Sequence, residues 1–161
     1  MNSGYRAMDC LSNEKGYRHW HSDVRIDDTP LEAGLMYTCK LKTDINFLGR
    51  RALEKQKKEG AHKKHVVLSV DNLKQPMLGY ESIVRDGQHV GIVRRAERAY
   101  SLGTTLAHGY VRDPKASVLT KDFFTSGSWS VEAMGELVPV TVHITQPFDP
   151  KNQRIQGNYL N

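Results

Sequence analysis

The spacing of apolar residues changes once along this chain, at Gly60, and that change constrains the fold more than any other feature. Before Gly60 the pattern is helical. Tyr5, Ala7, Met8 and Leu11 recur at helix spacing and Gly16 stands at the stop position, so a helix is predicted from Gly4 to Lys15. Thr29-Pro30-Leu31-Glu32 carries a helix-start signature: Thr29 can cap, Pro30 fits the first helical position, and Glu32 sits in the positive first turn. Gly34 ends that short helix, and Leu35 to Cys39 is predicted to be a strand. Gly49 to Glu59 is predicted as a second amphipathic helix, with Leu53 facing inward and Gly60 terminating it.

After Gly60 the alternation has period two. Strands are predicted at His65–Val70, Ser82–Arg85, Gln88–Val93, Thr105–Val111, Trp129–Ala133 and Leu137–Ile144. Asp86-Gly87 tolerates the positive φ of a tight primed turn and so marks a hairpin, and Met134-Gly135-Glu136 marks another. About six short strands separated by turn signals imply a small closed or sandwiched β domain. Pro147 onward reads as a surface tail. Helical and β patterns that segregate in this way make an α+β chain, divided into residues 1–63 and 64–161 with the boundary near Gly60 to Lys64.

Composition excludes several classes. With 161 residues, 39% hydrophobic and 25% charged, the chain can bury a core, and no apolar run approaches the roughly 20 residues that cross a bilayer. MNSGYRAMDC has neither a charged n-region nor an apolar h-region, so neither a signal peptide nor a membrane partner is expected. Cys10 and Cys39 are too few and too far apart for a metal knuckle and are expected to be free thiols. The net charge of +5 comes with basic clusters at Lys55–Lys58, His62–His65, Arg94-Arg95 and Arg98. These are expected to solvate a surface, and no reader motif with interleaved aromatics points to nucleic acid. His19-Trp20-His21 could put two imidazoles on one face, but no third ligand cluster accompanies them; Trp20 is expected to anchor the core. No nucleophile elbow, phosphate loop or dinucleotide fingerprint occurs, and no catalytic residue is assigned.

Glu14 is the leading candidate for a site residue. It lies at a helix C-terminus, where a carboxylate is unfavourable, and such local misfits often mark site residues.

The run from Gly4 to Arg51 supplies a resemblance. A helix closed by Glu14, an aromatic and His segment ending at Asp23, then Thr29-Pro30-Leu31-Glu32-Ala33-Gly34-Leu35 and Phe47-Leu48-Gly49-Arg50, resembles the glycine-cleavage T-protein (aminomethyltransferase) family. Pro147-Phe148-Asp149-Pro150 resembles that family's closing motif, and Ala99-Tyr100-Ser101-Leu102-Gly103 stands where the family usually has a Ser-rich turn before a strand. The wording of Glu14–His21 and Thr38–Lys42 is most similar to the sarcosine and dimethylglycine dehydrogenase family, in its C-terminal part. The resemblance implies the C-terminal portion of a T-protein-like folate-binding domain followed by a small antiparallel β-barrel.

It further implies that Glu14 reads the pterin edge of tetrahydrofolate, with Arg6 and Tyr37 near it; before the glutamate, where the family is usually apolar, this chain has Asn13. The parent enzyme implied is an oxidoreductase that demethylates sarcosine to glycine with FAD and passes the one-carbon unit to tetrahydrofolate, in the mitochondrial matrix. FAD and the acidic residue acting on the one-carbon unit would belong to upstream domains, partners of this segment, which alone is expected to be inactive. Two rivals remain: a non-catalytic regulatory subunit of the pyruvate dehydrogenase phosphatase type, and a basic nucleic-acid-binding barrel.

Overall fold

The computed structural model describes residues 3–71 and 73–159. Helix α1 spans Tyr5–Lys15, and α2 spans Arg50–Glu59. Seven strands follow: β1 (Lys64–Val70), β2 (Ser82–Arg85), β3 (Gln88–Ala99), β4 (Thr104–Val111), β5 (Trp129–Ala133), β6 (Glu136–Pro139) and β7 (Thr141–His143). A short helix, α3 (Lys121–Thr125), precedes β5 and has no periodic signal in so few residues.

The strands form one antiparallel sheet in the order β6-β5-β2-β3-β4-β1-β7. Its two end strands, β6 and β7, are separated in sequence by Val140 alone. Two residues flanking a single one lie within about 7 Å of each other, so the sheet must curl until its ends meet. The expected strand Leu137–Ile144 is thus two strands, and the break at Val140 is the closure of a barrel; the Val140 N–H donates to the carbonyl of Trp129 at 3.0 Å.

Inside the barrel lie Val66, Leu68, Val70, Ile83, Val90, Val93, Ala107, Val111, Phe123, Trp129 and Val131, all buried in one cluster with Met77. Phe123 of α3 stands edge-on to Trp129 at 5.4 Å. Asp86 and Gly87 both take positive φ, 51° and 77°, which is the primed turn read from the sequence. β3 outruns its predicted end at Val93 because β4 continues to pair with it as far as Ala99↔Thr104.

Before the barrel the chain departs from expectation in three places. Leu35–Cys39 is not a strand: Met36–Thr38 is a single 3₁₀ turn, closed by Thr38 Oγ1 donating to the Leu35 carbonyl at 2.7 Å. β-compatible residues without a neighbouring strand have nothing to pair with. Trp20 is not a core anchor, being 57% exposed. Helix α1 forms where expected and turns its apolar stripe outward, with Tyr5, Met8 and Leu11 exposed and Asn13 and Glu14 buried against the barrel. At Thr29 the capping box forms, but Pro30–Gly34 is a turn rather than the short helix expected there. Glu32 accepts from the Thr29 N–H at 2.9 Å while Thr29 Oγ1 accepts from the Glu32 N–H at 3.3 Å, a reciprocal box over one turn.

Candidate functional site

Glu14 owes its position to the end of α1. Gly16 takes φ 75°, and the N–H groups of Gly16 and Tyr17 return to the carbonyls of Asn13 and Ser12, at 3.1 and 3.0 Å. That double bond is a Schellman stop, which a residue with a Cβ would strain. Gln146 adds a second fastening by donating through Nε2 to the carbonyls of Asn13 and Glu14. Lys15 pairs with Asp149 at 2.8 Å, and both side chains are largely buried. The segment after Pro147 is therefore no free tail at its start: it clamps the C-terminus of α1.

The carboxylate of Glu14 is 98% shielded as a residue, with 2% exposure, and each oxygen has its own donor. The Ser101 N–H donates to Oε1 at 2.7 Å and the Ser101 Oγ–H to Oε2 at 2.9 Å. Ser101 belongs to the turn between β3 and β4. Arg6 lies one face of the helix earlier. Its side chain is 87% exposed and reaches Glu97 only at 3.5 Å, beside a cleft of about 670 Å³ that also holds Arg94, Arg95 and Arg98. Tyr37 is 82% exposed on the 3₁₀ turn, and no hydrogen bond joins it to Glu14 or Arg6. So Glu14 and Arg6 share one helix over the barrel, and Tyr37 lies on a separate turn.

Asn13, the departure from the usual apolar residue, has a physical reason. Its Nδ2 donates to the Leu106 carbonyl at 3.0 Å, and its own carbonyl lies 3.1 Å from His108 Nε2. A carbonyl can only accept, so His108 carries its proton on Nε2. His108 Nδ1 then accepts from His65 Nε2 at 3.3 Å, which fixes the tautomers of both rings. Burial, reinforced by Arg95 and Arg18, pulls the His108 pKa down to about 3. His65 is likewise held well below the ordinary histidine value, by burial and then by the charge of Arg18.

Around this pair the sequence is overruled. Lys63, Arg94 and Arg95, expected to solvate a surface, form a buried seam between residues 17–32 and the outer face of β1, β3 and β4. Arg95 pairs with Asp23 at 2.8 Å, and Lys63 with Asp28 at 2.7 Å; both aspartate side chains are fully buried. Arg94 and Lys63 also lie against the Tyr110 ring, 5.0 and 5.6 Å from its centroid. Burial, with Asp28 next, raises the Tyr110 pKa and keeps the phenol neutral. The seam was invisible in sequence because its acids, Asp23 and Asp28, are about 35–70 residues from their partners. By contrast Lys55, Lys57 and Lys58 of α2 do face solvent. His19 and His21 do not share a site: His19 Nε2 meets Ser12 Oγ at 3.1 Å, whereas His21 is exposed at φ 75°.

Residues 63–149 match the family described as the glycine cleavage T-protein C-terminal barrel domain. Over 159 residues, 99% of the chain, it is 51% identical to the mitochondrial sarcosine dehydrogenase of Mus musculus and 49% identical to that of Homo sapiens. The chain spans 17% of the length of each of these relatives. Among solved structures, the glycine cleavage system aminomethyltransferase T of Bartonella henselae superposes with a TM-score of 0.71 at 22% identity, covering 88% of this chain and 38% of that one. That likeness bears on the fold, and it agrees with the barrel.

Proposed function

Because the chain belongs to the glycine cleavage T-protein C-terminal barrel family, we propose that it is a segment of a sarcosine dehydrogenase-type flavoenzyme and forms one wall of that enzyme's folate site. The observation that carries this reading is the extent of the similarity. About half the residues are identical to mitochondrial sarcosine dehydrogenases across 99% of the chain, so the N-terminal segment bearing Glu14 is included with the barrel. A nucleic-acid-binding role has less support, since Lys63, Arg94 and Arg95 are largely withdrawn from the surface by burial; a regulatory role has less because the identity to the pyruvate dehydrogenase phosphatase regulatory subunit is 31%, against 51% for sarcosine dehydrogenase.

In this reading the longer enzyme oxidises the N-methyl group of sarcosine to yield glycine, with FAD held by a region outside these residues. Tetrahydrofolate, when bound, takes up the one-carbon unit. The donor set around Glu14 fits such a ligand: its two oxygens already sit in a geometry that accepts one hydrogen each from a paired donor. Glu14 would accept from the paired N–H groups of the pterin's aminopyrimidine edge, Arg6 and Tyr37 would flank the ligand, and the barrel would brace α1 from behind. The residues 1–63 and 64–161 would act as the end of a folate-binding domain and its barrel. The mitochondrial names of the relatives support a matrix enzyme.

The test is Glu14→Gln in a chain extended upstream to the length of its relatives, with tetrahydrofolate affinity measured by calorimetry. Glutamine keeps the shape and replaces one acceptor by a donor. Removing a charge-assisted partner costs about 1.5–3 kcal/mol, so affinity should fall at least tenfold. Unchanged affinity would make Glu14 purely structural.

A further inference from the structure

We propose that Ser101 is a second affinity-setting residue of the Glu14 site: it occupies both carboxylate oxygens as a ligand would, and a ligand with paired N–H donors must displace it. This rests on the reading of Glu14 given above. Ser101 offers two donors from one residue, its N–H to Oε1 at 2.7 Å and its hydroxyl to Oε2 at 2.9 Å. An aminopyrimidine edge offers the same arrangement, two donors side by side, to the same two acceptors. The turn is an internal surrogate for the ligand.

Competition follows from burial. With Glu14 only 2% exposed, no ligand reaches either oxygen while Ser101 is in place, and one side of the contact has to move. The helix side is fixed. Its end is held by the Gly16 and Tyr17 N–H groups, by Gln146, by the buried Lys15–Asp149 pair, and by Asn13 on Leu106 and His108.

The turn is held lightly. Tyr100, Ser101, Leu102 and Gly103 are all exposed. Apart from the Glu14 contact, the turn is tied by the Leu102 N–H to the Ala99 carbonyl at 3.2 Å and by Arg98 Nη2 to the Gly103 carbonyl. Gly103, at φ 70°, gives the backbone a pivot without side-chain strain. The turn therefore yields and the helix does not. Apparent affinity is the intrinsic affinity reduced by the fraction of time the turn is open. A ligand bringing two donors replaces what it removes, whereas one bringing a single donor leaves an oxygen unpaired, so the turn also selects for the paired edge.

The experiment compares Ser101→Ala, Ser101→Thr and Glu14→Gln for tetrahydrofolate affinity, in the chain extended upstream as above. Ser101→Ala removes one of the two competing donors and should tighten binding roughly threefold to tenfold, the worth of one net hydrogen bond. Ser101→Thr restores the hydroxyl and should return affinity to the starting value. Amide exchange in the 161-residue chain supplies a readout without ligand: residues 100–103 should exchange faster in both Ser101→Ala and Glu14→Gln. Weaker or unchanged binding in Ser101→Ala, while Glu14→Gln loses affinity, overturns the competition and leaves Glu14 standing. No loss in Glu14→Gln overturns the reading of Glu14 itself. Unaltered exchange at the turn in both variants overturns the idea that the contact holds it closed.

Discussion

Strands β1 and β4 face two environments and are buried in both. Toward the barrel interior they present Val66, Leu68, Val70, Ala107 and Val111. Toward the N-terminal segment they present His65, His108 and Tyr110, beside Lys63, Arg94 and Arg95. The interior is held by burial of apolar area, which is non-directional and forgives small displacements. The seam is held by ion pairs and oriented hydrogen bonds, whose desolvation cost is recovered only where geometry is good. Several seam atoms find no hydrogen-bond partner among the described residues, including Arg18 Nε, Arg95 Nε and the Tyr110 hydroxyl. The lesson is that two layers sharing the same strands need not share a fate. The seam should open while the barrel stays closed.

Removing Asp23 should produce the largest effect. Asp23→Ala leaves Arg95 buried without its acid, which typically costs about 3–5 kcal/mol. If the layers are independent, hydrogen exchange will show protection lost in Gly4–Leu11 and residues 17–32 but kept in Val66–Val70. Equal loss in both would mean a single cooperative unit.

Ile83 tests the other layer. It is fully buried inside the barrel, and Ile83→Ala should cost about 2–5 kcal/mol in denaturant unfolding, since a cavity remains. Here the loss should appear in both layers, because the seam has nothing to dock on once the barrel opens. In the unaltered chain, stronger protection of Gly4–Leu11 than of Val66–Val70 would reverse the ranking of the two.

Acid should separate them most gently. His65 and His108 have folded pKa values below the ordinary one, and His108 is near about 3. A depressed histidine favours the fold fully above the unfolded value of about 6.5, where both states are neutral. As pH falls below that, the unfolded segment takes up protons that the seam refuses. Stability then declines by about 1.4 kcal/mol per pH unit for each histidine, until the folded group itself titrates. Exchange in residues 17–32 should therefore accelerate between pH 6.5 and 5 before that of β1, and His108→Gln should halve the slope. A pH-independent seam would place its weakness elsewhere.

How much of this was legible varies residue by residue. The change of period at Gly60, the Gly16 stop, the Thr29–Glu32 box and the Asp86-Gly87 turn are local, set by backbone sterics and hydrogen bonds within a few residues, and each is where the sequence put it. Glu14 was legible as a misfit at a helix end, though not its partner Ser101, which lies 87 residues away. Of the basic clusters, Lys55, Lys57, Lys58 and Arg98 face solvent as read, whereas Lys63 and Arg94-Arg95 were misjudged, because that dipeptide reads alike on a wet surface and over buried aspartates.

Local chemistry in the sequence thus determined most of the helices, strands and turns, though not the strand expected at Leu35–Cys39, and that the β half is a small closed or sandwiched unit. Tertiary structure alone decided which face of α1 is buried, that Val140 closes the barrel, that Lys63, Arg94 and Arg95 are interior, and that Ser101 meets Glu14. Each of those depends on which distant residues are brought within hydrogen-bond or ion-pair reach. That reach falls off within a few ångströms and has no counterpart in sequence spacing.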